Sequence, residues 1–223
     1  MKYSVAIFDL DGTILNTLDD LAAAINHVLA VHGMPVHETE KVKYMVGNGI
    51  AKLVERAVPG GRENPEYKAV YDEFVEYYRS HSALKTGPYE GMVECLRFLR
   101  KAGVKTGVNT NKDEVAAVTL CQKYFPGLFD FVSGGKDSIP VKPAPDGVYQ
   151  LLGKWGLSPL DDNIKAQTVF IGDSDVDIQT GINAGIDAIG VEWGFRGKDF
   201  LLEHGAKTTV STPDELAVLI LNS

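Results

Sequence analysis

The stretch YSVAIF at residues 3–8, followed at once by DLDGT at 9–13, decides how the rest of the chain is read. A short apolar, β-branched and aromatic run that stops abruptly at Asp9 reads as a buried strand of a parallel sheet. In an extended chain residues i and i+2 share a face, so Asp9 and Asp11 point the same way while Leu10 turns inward. Gly12 lets the chain turn sharply after them. Two carboxylates held close together repel each other and require a cation, a shared proton or both. Taken alone, the run also reads as an ordinary turn, because Asp and Gly are common turn residues.

Comparable apolar runs recur at 104–108, 129–132, 168–171, 187–191 and 208–211. Helical patterns lie between them at 91–102, 112–124, 145–155, 177–184 and 198–204, with Gly103, Gly156, Gly185 and Gly205 as C-terminal stops. This alternation predicts an α/β fold, a Rossmann-like parallel sheet with helices on both faces. Residues 16–85 break it, because they show only helical patterns. Leu18, Leu21, Ala22, Ile25, Val28 and Leu29 share one helical face, with Thr17 and Asp20 as a capping-box-like start and Gly33 as a stop. Shorter helices fit 39–46 and 50–57, and Asn64-Pro65 opens another along Tyr67, Val70, Tyr71, Phe74 and Tyr78. The block is too large for a crossover connection. It is expected to form a small helical cap domain at 16–85, inserted into a core made of 1–15 and 86–223. Linkers near 13–16 and 81–87 could hinge it open and shut; a permanently docked subdomain is the alternative.

With 223 residues, 44% of them hydrophobic and 23% charged, the composition is that of a folded soluble protein. No apolar run approaches the roughly 20 residues of a membrane span, so no membrane partner is expected. The N-terminus passes straight from a strand pattern into carboxylates, unlike a secretory signal. Cys95 and Cys121 form neither a metal spacing nor a disulfide framework, which fits a cytoplasmic setting. Lys and Arg number 22 against 30 Asp and Glu, a net charge of −8 that argues against a nucleic-acid partner. An anionic substrate would therefore be held by local cations. Monomer and homodimer both remain open.

A second acidic cluster, Gly172-Asp173-Ser174-Asp175-Val176-Asp177, follows the apolar run at 168–171. Hard oxygen ligands from separate loops suit Mg²⁺. For Asp177, in the first turn of a helix, capping of free N–H groups is an equal reading. The run ending at Val108 leads into Asn109-Thr110-Asn111-Lys112, and Lys142-Pro143-Ala144-Pro145 presents a lysine on a stiff loop. In the insert, Gly47-Asn48-Gly49 precedes the helix at 50–57. It is either a plain helix–helix turn or a set of N–H groups that receives an anionic substrate end, with Lys52 or Arg56 assisting.

The ordered set FDLDGT at 8–13, VNTNK at 108–112, VKPAPD at 141–146 and IGDSDVD at 171–177 resembles the haloacid dehalogenase superfamily. The likeness is to its phosphatase branch, in which a helical cap follows the first strand. The resemblance implies Asp9 as nucleophile and magnesium ligand, and Asp11 as general acid/base and member of the metal set. Thr110 and Asn111 would bind the transferring phosphoryl group, Lys142 would neutralise it, Asp173 would ligate Mg²⁺ and Asp177 would support the metal shell. Gly47, Asn48 and Gly49 would contact substrate. A second aspartate in the first motif points to phosphoryl transfer, because an alkoxide leaving group needs a proton. Glu90 departs from the proline that many relatives carry there. The implied reaction is Mg²⁺-dependent hydrolysis of 2-phosphoglycolate or a similar small phosphorylated metabolite through an aspartyl-phosphate. A phosphosugar mutase, a pyrophosphatase or a nucleotide phosphatase on the same core are the alternatives.

Overall fold

The computed structural model describes residues 1–136 and 138–222. The chain begins with β1 (Val5–Phe8) and β2 (Leu15–Asn16), then α1 (Leu18–Val31), α2 (Thr39–Lys43), α3 (Ile50–Ala57) and α4 (Tyr67–His81). It continues through β3 (Gly87–Pro88), α5 (Met92–Lys101), β4 (Lys105–Asp113), α6 (Glu114–Tyr124), β5 (Phe131–Gly135), α7 (Asp146–Lys154) and α8 (Asp162–Ala166). It ends with β6 (Thr168–Gly172), α9 (Asp175–Ala184), β7 (Asp187–Val191), α10 (Lys198–Glu203), β8 (Thr209–Val210) and α11 (Pro213–Leu221). The chain divides into two compact units, one of Met1–Leu15 with Pro88–Ser223 and one of Asn16–Gly87. None of the described helices is long and apolar enough to cross a membrane.

The first unit is built on a parallel six-stranded sheet in the order β5-β4-β1-β6-β7-β8. β1 is buried along its whole length, as a strand covered on both faces must be. Its Val5 and Ile7, with Phe170 of β6, pack against Val148, Leu151 and Leu152 of α7. Elsewhere in the unit α5 packs on β4 and against α11. The register sets Phe8 opposite both Val108 and Ile171, so the C-terminal ends of β1, β4 and β6 lie side by side. In an open α/β sheet that edge is where ligands bind.

Three sequence expectations are corrected in this unit. The strand expected at 104–108 continues to Asp113, and the helix expected from 112 starts at Glu114, with the Asp113 side chain capping Ala116 N at 3.1 Å. β5, expected at 129–132, continues through Gly134 and Gly135 beside it. A Cβ at Gly134 would collide with the Glu114 backbone, and one at Gly135 would sit 3.0 Å from the Asn111 carbonyl oxygen. The glycine pair therefore lets β4 run on, with its register shifting between Asn109 and Asp113. The helices α8 and α11 lie outside the strand–helix alternation read from the sequence. Thr212 and Pro213 nonetheless carry an ordinary start signal for α11, with the Thr212 hydroxyl accepting from Glu215 N.

In the second unit α1 packs against α4 and α2, and α3 against α4. Ile25, Val28 and Leu29 are buried on α1, as are Val70, Phe74 and Tyr78 on α4. α2 stops at Lys43, short of the expected 46. The Thr17–Asp20 capping pair is not made. Asp20 instead accepts from the N–H groups of Leu84, Lys85 and Thr86 and from the Thr86 hydroxyl, all at 2.8–3.0 Å. A buried carboxylate with that many donors in reach takes them in preference to a solvated helix start. Arg56 donates to Met45 O and to Asn48 Oδ1, both at 2.8 Å, and so holds the loop that carries Gly47, Asn48 and Gly49 ahead of α3. Lys52 pairs with Glu55 at 2.9 Å.

Candidate active site

Asp9 leaves β1 with its N–H still in the ladder, donating to Ile171 O at 2.8 Å. That bond fixes its backbone beside the end of β6. Oxygens of Asp9, Asp173 and Asp177 all lie within 4.8 Å of one another, and all three residues are buried. Three carboxylates so close and so dry need positive charge. Lys142, 4% exposed, supplies one charge, with Nζ 2.6 Å from Asp177 Oδ1 and 2.8 Å from Asp9 Oδ1. The Asp177 contact is a well-formed hydrogen bond. The Asp9 contact is an ion pair that holds Asp9 Oδ1 against the same ammonium.

The electrostatics follow from this packing. Burial pushes Asp9 up to about 7; Lys142 pulls it back down, and the Asp177 and Asp11 charges add to the rise. Burial also raises Asp173, to about 8, with Asp177 and Asp9 adding to the effect and the donors from Phe195 and Thr13 opposing it. Burial alone would lower Lys142, but Asp177 and Asp9 outweigh it and hold the ammonium raised and charged. With every carboxylate ionised, the group carries more negative than positive charge.

Each member is held by its own neighbours. Asp177 completes the capping box of α9, its Oδ2 accepting from Ser174 N at 3.0 Å and from Ser174 Oγ at 2.6 Å. Asp177 is thus both the cap of α9 and a partner of Lys142. Asp173 Oδ1 accepts from the Thr13 hydroxyl at 3.0 Å, and its Oδ2 accepts from Phe195 N at 2.8 Å. Gly12 and Gly194 make that approach possible. A Cβ on Gly12 would strike the Asp173 carboxylate, and one on Gly194 would overlap Asp173 and the Gly12 carbonyl. Trp193 Nε1 donates to Thr13 O at 2.9 Å and secures the same corner.

The rest of the site comes from β4. Thr110 is buried, and its Oγ1 accepts from Lys112 N at 3.3 Å, which leaves its O–H as a donor. Asn111 Oδ1 accepts from Lys142 N at 2.8 Å and Nδ2 donates to Lys142 O at 3.1 Å. Asn111, expected to contact substrate, thus grips the main chain of Lys142 with both amide atoms. Asp11, expected in the metal set as well as at the proton transfer, lies outside the three-carboxylate group. Its oxygens face Lys112 Nζ at 2.9 and 3.2 Å. Lys112 escaped the sequence reading because its place in VNTNK gave no sign of a partner about a hundred positions earlier. Thr13 and Phe195 escaped it because their contribution is a neighbouring hydroxyl and a backbone N–H. Gly47, Asn48 and Gly49 belong to the second unit, with Gly47 and Gly49 at φ of 118° and 81°.

Known proteins resemble this chain along most of its length. The family profile of haloacid dehalogenase-like hydrolases matches residues 6–191. A phosphoglycolate phosphatase of Chromobacterium violaceum is 34% identical over 100% of this chain and 99% of its own length. An N-acetylmuramic acid 6-phosphate phosphatase of Pseudomonas aeruginosa is 30% identical over 97% of this chain and 94% of its own. A solved structure from Lactobacillus delbrueckii subsp. bulgaricus, put forward as a phosphoglycolate phosphatase, superposes with a TM-score of 0.92 at 36% identity, covering 100% of both chains.

Proposed function

We propose that this chain, which belongs to the haloacid dehalogenase-like hydrolase family and is a phosphatase, hydrolyses 2-phosphoglycolate or a similarly small anionic phosphomonoester through a phosphate carried on Asp9. The observation that carries the reading is Asp9 itself, a buried carboxylate at a strand end whose Oδ1 is held 2.8 Å from the Lys142 ammonium. A carboxylate nucleophile needs to be positioned, and the strand-end backbone and Lys142 do that for Asp9. Asp9 attacks phosphorus in line and the leaving oxygen departs, forming the Asp9–phosphorus bond as the ester bond breaks. Lys142 and the Thr110 hydroxyl stabilise charge on the equatorial phosphoryl oxygens. Asp11 gives its proton to the departing alkoxide, then takes one from the water that attacks phosphorus and frees Asp9.

Mg²⁺ fits the residues present. Asp9 and Asp173 offer hard oxygens in a group with surplus negative charge, while Asp177, already bonded to Ser174 and Lys142, supports the set from behind. When bound, Mg²⁺ supplies neutralisation of the phosphoryl charge. The named substrates of the relatives favour a small phosphorylated acid, and substrate choice is assigned to the helical unit of Asn16–Gly87, where Arg56 braces the loop of Gly47, Asn48 and Gly49.

The test is phosphate release, with Mg²⁺ present, from 2-phosphoglycolate, N-acetylmuramic acid 6-phosphate, glucose 1-phosphate, a nucleotide and pyrophosphate. The reading requires 2-phosphoglycolate to lead in kcat/KM. Isomerisation of glucose 1-phosphate faster than its hydrolysis would replace it with a mutase.

A further inference from the structure

We infer that Lys112 is the positioning residue for Asp11, fixing the acid/base in the pose from which it serves the leaving oxygen; this rests on the phosphatase reading above. Lys112 Nζ reaches both Asp11 oxygens, at 2.9 and 3.2 Å, from a side chain only 4% exposed. A buried ammonium that faces both oxygens restrains the carboxylate in direction as well as distance. The pairing depends on β4 continuing past Val108, since only that extension carries Lys112 to the end of β1. The same residue's N–H donates to Thr110 Oγ1, so one position orients the side chains of two proposed catalytic residues. Next to it, Asn111 holds the main chain of Lys142. Residues 110–112 thus pair one group aimed at the phosphoryl with two that set its partners. Asp11 is also kept out of the Asp9, Asp173 and Asp177 group. That separates the carboxylate that moves protons from the carboxylates that would hold the cation.

Lys112 transfers no proton and forms no bond in this scheme; it acts through Asp11. The experiment is a double-mutant cycle on the Mg²⁺-loaded enzyme with Lys112→Met, Asp11→Asn and the pair, each checked for native circular dichroism. Two substrates are used: an alkyl phosphate, whose alkoxide needs a proton, and 4-nitrophenyl phosphate, whose phenolate leaves without one. Lys112→Met is expected to lower kcat on the alkyl phosphate by about a hundredfold, the lower range of general acid catalysis, with little change in KM. Its loss on 4-nitrophenyl phosphate should be under about tenfold. In the Asp11→Asn background the same change should cost nothing further on either substrate. Lys112→Arg, which keeps the charge, should recover part of the alkyl rate. Additive losses in the cycle, or equal losses on both substrates, would overturn the positioning role. Phosphatase activity that survives Asp9→Asn would instead sink the underlying reading, so the two failures are distinguishable.

Discussion

Asp9 and Asp173 are buried carboxylates whose ionised forms are disfavoured in the fold, and that has a measurable consequence. Their folded pKa values stand above the ordinary carboxylate range, at about 7 and about 8. Between about pH 4 and pH 8 the folded protein therefore keeps protons that the unfolded chain has released, and stability falls as pH rises through that window. With a chelator present, the melting temperature should drop from pH 5.5 to pH 8, and Mg²⁺ should raise it more at pH 8 than at pH 5.5. His32, raised chiefly by its bond to Glu66, with burial opposing and Glu73 adding to the rise, contributes in the same direction. Its stabilisation is present below the unfolded histidine value and lost as pH climbs through the folded one. Asp173→Asn isolates the site's share, because it should flatten the pH dependence while leaving the His32 part in place. A chelated wild type whose melting temperature rose across this window would contradict the assignment.

At the scale of elements, the fold works through backbone groups that need partners and carboxylates that supply them. Asp20 is the clearest case: one side chain on α1 accepts four protein donors from the returning segment 84–86. Replacing it with Asn keeps the shape but removes the charge and turns an amide donor toward other donors. Asp20→Asn should cost about 2–4 kcal/mol of stability, read as a lower urea midpoint, whereas Asp19→Asn on the exposed side of the same helix should be nearly silent. Equal effects at the two positions would show that the segment is held by something else. The elements also mark where the sequence was legible. The carboxylates after β1 and β6 announce themselves together, because two apolar runs that each stop at clustered Asp are harder to read as plain turns than either one alone. The continuation of β4 does not, because Asn109-Thr110-Asn111 lacks strand character and is held extended by what β5 lacks at Gly134 and Gly135.

For the molecule as a whole, the alternation of strands and helices gave the sheet its class, and the register did the rest by setting the ends of β1, β4 and β6 together. The grouping of residues as far apart as Asp9, Thr110, Lys142 and Asp173 is legible in the sequence through the order of their four motifs and the family resemblance that this order carries. Pairings that depend on side-chain reach, Lys112 with Asp11 and Asn111 with the Lys142 backbone, follow only from the three-dimensional path. The net charge of −8 gives no general attraction for a phosphate, and the buried ammonium of Lys142 supplies it locally. Everything in this account turns on Asp9 as the residue that carries the phosphate. The most direct test is intact-mass and peptide analysis of the Asp11→Asn enzyme quenched in acid during turnover of 4-nitrophenyl phosphate with Mg²⁺. Without its acid/base the enzyme should still accept phosphate from this substrate but release it slowly, so one phosphate should accumulate on the peptide that contains Asp9. Nitrophenol release with phosphate found on another residue, or persisting when Asp9 is also changed to Asn, would contradict the account.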